Sequence, residues 1–348
     1  MTAEARIRPG RSVTISDVAY ATGVSIRTVS RVLNDSPKVS AETREMVQGA
    51  ISRLGFQPSL RARALASGRS FLIGFVQGDS NAHVIGVLQR GVVEVCSTAG
   101  YELLVHPVDA EAPDVSEAIA AFVRRSRVDG LLLLSPISEN PTIPAALKAL
   151  DVPSVALAAL RVPGYPSMLV SDEFSAARRM TEHLIGLGHR RIAMVTGPLR
   201  YLSARERKAG FLEAMAAAGL EARPELVVEG DYGFDSGAAA AQRLLSLDER
   251  PTAIFASNDI MAAAVLKTAA DRGLQAPRDL SVAGFDDSDI ATMITPSLTT
   301  IRRPLHAMAR TAASQLLSLI AGDRPGPDQR VELTVVVRAS TASPPSSR

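Results

Sequence analysis

The sequence predicts an α/β protein with a small helical headpiece, a short hinge, and a larger core of two doubly wound lobes built on parallel sheets. Two patterns predict this division. Residues 14–34 contain two short capped helices separated by a glycine, whereas from Phe71 onward short apolar runs alternate with alanine-rich amphipathic segments. Such alternation favours parallel strands joined by crossover helices. With 348 residues and 46% hydrophobic side chains, the chain can form about two to three domains with packed cores.

The first helices predict a helix-turn-helix motif. Thr14 and Asp17 have the spacing of a capping box at the start of the first helix. Gly23 can end this helix, and Ser25 can cap the next one. A third helix from Ser40 is stopped by Gly55. The apolar residues expected to form a common core are Ile15, Val18, Ala19, Val29, Val32, Leu33, Met46, Val47, Ala50, Ile51 and Leu54.

The second of these helices predicts contact with DNA. The residues left exposed at its start are Ile26, Arg27, Thr28, Ser30 and Arg31. A recognition helix presents its N-terminal residues to the major groove, where arginine suits guanine and an apolar tip suits the thymine methyl group. The alternative is an ordinary helical hairpin with a solvated polar face.

The segment PSLRARALASGRS, residues 58–70, predicts a basic hinge. A short helix here has no obvious core for Leu65, and minor-groove proteins use such an apolar wedge to unstack a base step. We therefore expect Leu65 to intercalate, and we expect phosphate contacts from Arg61, Arg63 and Arg69. The alternative is a linker that only happens to contain a leucine.

The charge distribution favours the DNA-binding interpretation. Residues 1–70 carry 11 Lys and Arg against 5 Asp and Glu, a net charge of +6, and the remainder carries 27 against 31, a net charge of −4. A basic front end is typical of nucleic-acid contact, and neutralisation of phosphates makes binding fall steeply with salt.

Two successive sets of apolar runs predict the strands of the two lobes. The first set is FLIGFV from Phe71, YELLVH from Tyr101, VDGLLLL from Val128, SVALA from Ser154 and SMLVS from Ser167. The second set is RIAMVTG from Arg191, ELVVEG from Glu225, TAIFASN from Thr252, SVAGFDD from Ser281, LTTI from Leu298 and LTVVV from Leu333. Helices between them are expected to end at Gly100, Gly188, Gly219 and Gly273. The single Cys96 lies in an apolar helical pattern and is expected to be buried.

Ligands of doubly wound folds bind at the carboxyl ends of the strands. The polar residues predicted there are Gln77 to Asn81, Ser135, Asp172, Thr196 to Pro198, Asn258, Asp259, Asp286 and Asp287. Donors and acceptors that face an apolar cleft suit a small hydroxylated molecule. For each residue taken alone, capping of a loop is the competing interpretation.

Other functional classes are disfavoured by what the sequence lacks. No G-x-G-x-x-G follows a candidate strand, no P-loop or G-x-S-x-G occurs, and the five histidines are scattered. We therefore expect no catalytic residues, no metal site and no cofactor. A free-standing sugar-binding protein would explain the core, but it has no use for a basic headpiece and normally carries an export signal. The N-terminal residues lack such a signal and no apolar run could span a membrane, which predicts a cytoplasmic protein, associated with the nucleoid when bound to DNA.

Seven segments within residues 12–340 match the pattern of a known family. They are TISDVAYATGVSIRTVSRVLN from Thr14, KVSAETRE from Lys38, the hinge from Ala62 to Leu65, LGHRRIAMVTGP from Leu187, ASNDIMA from Ala256, SVAGFDD from Ser281 and LTTIRRP from Leu298. In these segments the chain resembles transcription factors of the lactose repressor/galactose repressor family. The resemblance implies a core of periplasmic-binding-protein type and a homodimer that binds double-stranded operator DNA, with a small-molecule effector between the lobes.

The resemblance also implies roles for single residues of the headpiece. Ile26 and Arg27 fall at the family's variable base-contacting positions, and Arg31 at its common base or backbone contact. The positions that match phosphate-facing places are Thr14, Ser25, Thr28, Ser30, Asn34 and Lys38. Leu65 matches the leucine inserted into the central base step, with Ala62 and Arg63 on the hinge helix.

In the core, the resemblance implies an effector site. Arg207 matches the arginine that commonly holds the effector, and Tyr232 matches a frequent stacking position. The other residues of the predicted site are Asp79, Asp172, Asn258 and Asp286. A guanidinium and a carboxylate can bracket vicinal hydroxyls while an aromatic face covers a sugar ring, so the expected effector is a sugar or sugar derivative.

Alternatives remain open for this site. Arg207 could instead form a surface ion pair with Glu206 or Glu213, and Tyr232 could be ordinary loop packing. The chain also departs from the family at Ala158 and Ala159, where relatives often carry an aspartate or arginine. A hydrogen bond to the ligand is lost there, so we name no particular sugar.

The expected domain boundaries follow from these segments. They are 1–11 for an N-terminal arm, 12–57 for the helix-turn-helix, 58–70 for the hinge, 71–340 for the core and 341–348 for a flexible tail. Within the core, residues 71–166 with 299–325 are expected to form one lobe, and residues 167–298 with 326–340 the other. The C-terminal residues contain no leucine heptad, so the expected assembly is a dimer.

Overall fold

The computed structural model describes residues 13–33, 36–56, 64, 67–78 and 82–345. The chain divides into two compact units, residues 1–71 and residues 72–348. The predicted hinge residues 58–63, 65 and 66 therefore lie outside the described part of the chain.

The first unit is a three-helix headpiece. Its helices are α1 (Ile15–Thr22), α2 (Ile26–Leu33) and α3 (Ala41–Leu54). The buried residues of their common core are Val18, Ala19, Val29, Val32, Val47, Ala50 and Phe56. Met46, expected in this core, is 44% exposed. Phe56 takes part instead, because Gly55 adopts a left-handed φ of 64° that turns the chain back towards the helices.

The first lobe of the second unit contains a six-stranded parallel sheet in the order β11-β5-β4-β3-β1-β2. Its strands are β1 (Leu72–Gln77), β2 (Glu102–Pro107), β3 (Gly130–Leu134), β4 (Ser154–Ala158), β5 (Ser167–Ser171) and β11 (Gln329–Val331). Its helices are α4 (Ala82–Thr98), α5 (Val115–Ser126), α6 (Ile143–Ala149) and α12 (Leu305–Ala321). Helices α5 and α6 share one hydrophobic core with the sheet, and α12 packs against α4 and the central strands.

The second lobe is wound in the same way around a four-stranded parallel sheet in the order β7-β6-β8-β9. Its strands are β6 (Ile192–Thr196), β7 (Val227–Glu229), β8 (Ala253–Ala256) and β9 (Ser281–Ala283). Its helices are α7 (Glu173–Gly186), α8 (Leu202–Ala217), α9 (Phe234–Leu245), α10 (Asp259–Asp271) and α11 (Ile290–Met293). Alternate residues of β6 enter two separate cores, as the period of a strand requires: Ala193 packs with α9 and α10, and Met194 with α7 and α8.

Strand pairing corrects the expected lobe boundaries. Strands β5 and β11, both expected in the second lobe, pair with each other in the sheet of the first lobe. Residues 300–302 form β10, which pairs antiparallel with β12 (Thr334–Val336) rather than with that sheet. The chain thus crosses between the lobes after β5, before α12, and between β11 and β12. Main-chain hydrogen bonds between strands decide to which lobe each strand belongs. The apolar pattern of the sequence does not predict which strands will pair.

The C-terminal segment corrects a second expectation. Residues 341–348 were expected to form a flexible tail, but the backbone amide of Ala342 donates to Ser281 Oγ at 3.1 Å and its carbonyl accepts from His189 Nε2 at 2.9 Å.

The predicted helix ends at Gly100, Gly188, Gly219 and Gly273 are confirmed by positive φ angles of 73°, 102°, 67° and 77°. Within the described residues, no helix is both long and apolar enough to cross a membrane.

Candidate functional site

Helix α2 is a capped helix whose outer face is open. Ser25 Oγ accepts a hydrogen bond from the Thr28 amide at 3.1 Å and lies 2.9 Å from Thr28 Oγ1, which satisfies a free amide at the helix start. Val29 and Val32 are buried under the helix. Ile26 is 50% exposed and Arg27 is exposed, as expected for a surface that meets a partner.

Three cations of the headpiece were predicted to contact DNA: Arg27, Arg31 and Lys38. Lys38 and Arg27 are exposed and Arg31 is half-buried, and none of these cations has an ion-pair partner in the part of the chain that the structure describes. Arg44 instead serves the fold, because its Nη2 donates to the Ser36 carbonyl at 2.8 Å and ties the segment after α2 to α3.

The capping box predicted at the start of α1 is present. Asp17 Oδ2 accepts from the Thr14 amide at 2.8 Å and from the Thr14 hydroxyl at 2.7 Å. Ser30 is half-buried on α2. The remaining predicted contacts fall outside the described residues: Asn34, Ala62, Arg63 and Leu65.

A cleft opens between the two lobes of the core at the carboxyl ends of their strands. The first lobe contributes Leu134, Ala158 and Ser171, each the last residue of its strand, and the second contributes Arg207, Tyr232 and Asp286. The cavity volume is about 70 Å³. Pockets for drug-sized ligands measure roughly 300–1,000 Å³, so the cleft is small by comparison.

Three buried charged side chains and the partly buried Arg303 form the centre of the cleft. Arg207 Nε donates to Glu173 Oε2 at 2.7 Å, and Arg303 Nη1 donates to Asp286 Oδ1 at 3.1 Å. Arg303 Nε lies 3.5 Å from Glu173 Oε1, which links the two pairs. We call Glu173, Arg207, Asp286 and Arg303 the charge quartet. It stands on α7, on α8 and on the chain beyond β9 and β10, and so joins segments that are distant in sequence.

Aromatic rings hold Arg207 in place. Its guanidinium carbon lies 3.6 Å from the centroid of Phe285 and 5.9 Å from that of Tyr232, and its Nη1 donates to the Ser257 carbonyl. Tyr232 has a left-handed φ of 69°. A Cβ at Gly197 would lie only 2.1 Å from Tyr232 Cζ, so glycine is required there for the ring to sit at the cleft.

The pKa values of the quartet depend on burial and on partners. Burial opposes ionisation of Glu173, but Arg207 and Arg303 outweigh it and hold its pKa below the usual value. For Asp286 burial prevails over Arg303 and Arg207, and its pKa is raised.

Two further carboxyl groups near the quartet have raised pKa values. Burial raises that of Glu139, which accepts from Ser135 Oγ at 2.9 Å and from the Ala159 amide at 3.0 Å. Burial, with the nearby Asp286 carboxylate, raises the pKa of Asp259 to about 7.

Known proteins match both units of the chain. Residues 14–59 match the family model of bacterial regulatory proteins, lacI family, and residues 181–341 match the periplasmic binding protein-like domain. The HTH-type transcriptional regulator CelR of Thermobifida fusca is 35% identical over 347 residues, which cover 97% of this chain and 99% of that protein. The chain belongs to the LacI family. It is a DNA-binding transcriptional regulator and not an enzyme.

Solved structures of LacI-family members have the same fold. The lac repressor dimer bound to operator and the anti-inducer ONPF has a TM-score of 0.83 at 30% identity, with coverage of 95% of this chain and 100% of that chain. The complex of the transcriptional regulator CelR with cellobiose has a TM-score of 0.70 at 33% identity, with coverage of 94% and 99%.

The structure brings part of the predicted effector site of this LacI-family regulator together. Arg207, Tyr232 and Asp286 line the cleft. Asn258 does not line it: its Oδ1 caps α10 by accepting from the Met261 amide at 2.8 Å, and its Nδ2 donates to the Tyr232 carbonyl at 2.9 Å. Asp79 lies outside the described residues.

Asp172, also predicted in the effector site, is not among the residues that line the cleft. Its Oδ1 accepts from the Ser175 amide at 3.2 Å and lies 2.9 Å from the Arg330 guanidinium, so it caps α7 and lines a neighbouring pocket. Glu173, one residue later, lines the cleft instead. The alternative of a surface ion pair between Arg207 and Glu206 or Glu213 is wrong, because Arg207 is 3% exposed and pairs with Glu173.

Sequence analysis missed Glu173, Arg303 and Glu139. Glu173 and Arg303 each follow the end of a strand, β5 and β10, so the strand-end criterion could have included them. Glu173 is the second residue after β5, and Arg303 is the first residue after β10. Glu139 lies in a short 3-10 turn, Ile137–Glu139, which no pattern in the sequence predicts.

Proposed function

We propose that this regulator binds a roughly palindromic operator as a homodimer and represses transcription. In this proposal a hydroxylated small molecule, a sugar or sugar derivative, sets its operator affinity from the cleft. The observation that carries the proposal is the charge quartet beside Tyr232, because paired carboxylates and guanidiniums offer both acceptors and donors to vicinal hydroxyls. The names of similar proteins support it, since one is described with cellobiose and another as a dimer on operator.

On DNA, α2 enters the major groove. Ile26, Arg27 and Arg31 contact bases, and exposure of the first two on a capped helix supports this assignment. Phosphate contacts are assigned to Thr14, Ser25, Thr28, Ser30 and Lys38. For Asn34 and for the hinge residues Ala62, Arg63 and Leu65, the assignments stay predictions from the sequence.

In the cleft, Arg207 and Asp286 bind hydroxyls and the Tyr232 ring covers the apolar side of the sugar. Asn258 acts indirectly, because its amide holds the backbone of Tyr232. The small volume of the cleft supports a mechanism in which the effector prefers a different lobe separation. Effector and operator then change each other's affinity by the same factor. The corresponding coupling free energy is typically about 1–3 kcal/mol.

The test begins with selection of an operator from genomic fragments by the full-length protein. Fluorescence anisotropy then measures operator affinity in the presence of cellobiose, ribose and a wider carbohydrate panel. Asp286→Asn is expected to abolish the response to the active sugar and leave operator affinity without sugar nearly unchanged. Asp172→Asn, a matched carboxylate outside the cleft, is expected to respond as the wild type does.

The hinge assignment has its own test. Leu65→Ala is expected to weaken operator binding and leave sugar binding nearly intact. Equal loss of both activities would contradict the assignment of Leu65. Failure to recover any preferred duplex, with or without cell extract, would contradict the proposed function as a whole.

A further inference from the structure

The described charged side chains that line the cleft balance one another. They are two carboxylates, Glu173 and Asp286, and two guanidiniums, Arg207 and Arg303. Each cation contacts an anion within 3.1 Å, and the contact between Arg303 and Glu173 connects the pairs. The quartet therefore has no net charge when all its members are ionised.

Burial makes this balance expensive to disturb. The side chains of Glu173 and Arg207 are 1% and 4% exposed, and those of Asp286 and Arg303 are 6% and 16% exposed. An anionic ligand would add a negative charge to guanidiniums whose charges are already balanced by Glu173 and Asp286. The added charge would be buried without a partner of its own, which is strongly unfavourable in a region of low dielectric constant.

An uncharged hydroxyl makes no such demand. Glu173 accepts at Oε2 from Arg207 and at Oε1 from the Ser171 hydroxyl, at 2.8 Å. Asp286 accepts from Arg303 at Oδ1. A carboxylate has about four lone-pair sites and a guanidinium five donors, so hydroxyls can add to the quartet while its ion pairs stay intact.

We propose that the cleft takes an uncharged polyhydroxylated effector and that Glu173 is the residue that excludes anionic ones, such as sugar phosphates and sugar acids. This inference rests on the proposed function of the cleft as the effector site. Glu173 holds both guanidiniums at once. Without its charge, Arg207 and Arg303 face the cavity with Asp286 as the single remaining anion of the quartet, and the cleft becomes a site for phosphate.

The experiment measures binding of inorganic phosphate to the full-length protein by isothermal titration calorimetry, with circular dichroism to confirm folding. The wild type is expected to bind phosphate no better than the control Glu182→Gln, which removes a half-exposed carboxylate from the same helix outside the cleft. Glu173→Gln is expected to bind phosphate at least about tenfold more tightly than either. Asp286→Asn makes the same charge change and is expected to act in the same direction.

Two results would overturn the proposal. One is saturable phosphate binding by the wild type that is lost in Arg303→Gln. The other is a folded Glu173→Gln or Asp286→Asn protein that binds phosphate no better than Glu182→Gln. Neither result depends on whether a carbohydrate changes operator affinity, so failure of this inference is distinct from failure of the proposed function.

Discussion

Arginines serve opposite purposes in the headpiece and in the cleft. Arg27 is exposed at the start of α2 and has no ion-pair partner among the described residues. Arg207 is buried, lies against Phe285 and bonds to Glu173. A free surface charge can attract a polyanion over a Debye length of about 8–10 Å, whereas a buried paired charge acts only on what enters its cavity. The difference suits one region to a charged polymer and the other to a small neutral molecule.

The largest expected effect concerns the buried pair. Arg207→Leu leaves Glu173 without its closest partner and should lower the free energy of unfolding of the core by about 3–5 kcal/mol. Arg178→Leu is the matched control, because the Arg178 side chain is 43% exposed and its pair with Glu182 should contribute about 0–1 kcal/mol. Urea unfolding followed by circular dichroism measures both. Equal losses would mean that burial is not what distinguishes the two arginines.

The headpiece and the cleft should differ next in how strongly salt weakens ligand binding. Operator affinity should fall by about 10³ or more between 50 and 200 mM salt, because bound phosphates displace counterions. Effector affinity should change little over this range, since buried pairs are poorly screened. Anisotropy titrations for the operator and calorimetry for the active sugar give the two slopes. A flat slope for the operator would contradict phosphate contact by the headpiece.

A single base contact should matter less than the sum of phosphate contacts. Arg27→Ala is expected to weaken binding to the selected operator by about 1–3 kcal/mol, because a bidentate contact to guanine is lost. Arg53→Ala removes the same charge from the last turn of α3 and should have a smaller effect. Competition against random DNA distinguishes a base contact from a phosphate contact. An equal loss of affinity for the operator and for random DNA would indicate that Arg27 contacts phosphates.

A pH dependence is also expected inside the core. The pKa of Asp259 is raised from 3.8 to about 7, so the folded protein keeps a proton that the unfolded chain has lost between these values. Its contribution to stability is present below about pH 4 and is lost as the pH rises to about 7, by at most about 1.4 kcal/mol per pH unit. Asp259→Asn should remove this loss. The stability of the variant relative to the wild type should therefore increase as the pH rises from about 4 to about 7.

Thermal unfolding of both proteins at several pH values measures this gain. Asp271→Asn, on the exposed end of the same helix, is the matched control. A constant difference between Asp259→Asn and the wild type from pH 4 to 7 would contradict the assigned cause, which is burial beside Asp286.

Much of the fold could be predicted because its signals are local. Thr14 and Ser25 cap helices, and Gly100, Gly188, Gly219 and Gly273 end them, through hydrogen bonds and backbone angles that involve only a few neighbouring residues. The runs of apolar residues likewise located nearly every strand. Strand β11, residues 329–331, was not among the predicted strands, since it is short and exposed and lacks an apolar run.

The site was predicted only in part because its geometry depends on partners far apart in the chain. Arg207 could be assigned from the family pattern, but its partner Glu173 lies 34 residues away. Asp172 and Glu173 both follow β5, and only the direction of each side chain at the start of α7 decides which of them lines the cleft.

The sequence by itself determined the order of helices and strands, the open face of α2 and the concentration of positive charge in residues 1–70, since each follows from nearby residues or from composition. Only the tertiary structure decided that β5 and β11 complete one sheet, that Ala342 bonds to the second lobe, and that four distant charges neutralise one another in the cleft. The physical reason is that contacts between residues distant in sequence depend on which surfaces pack together. Burial then determines how strongly a charged pair at such a contact affects stability.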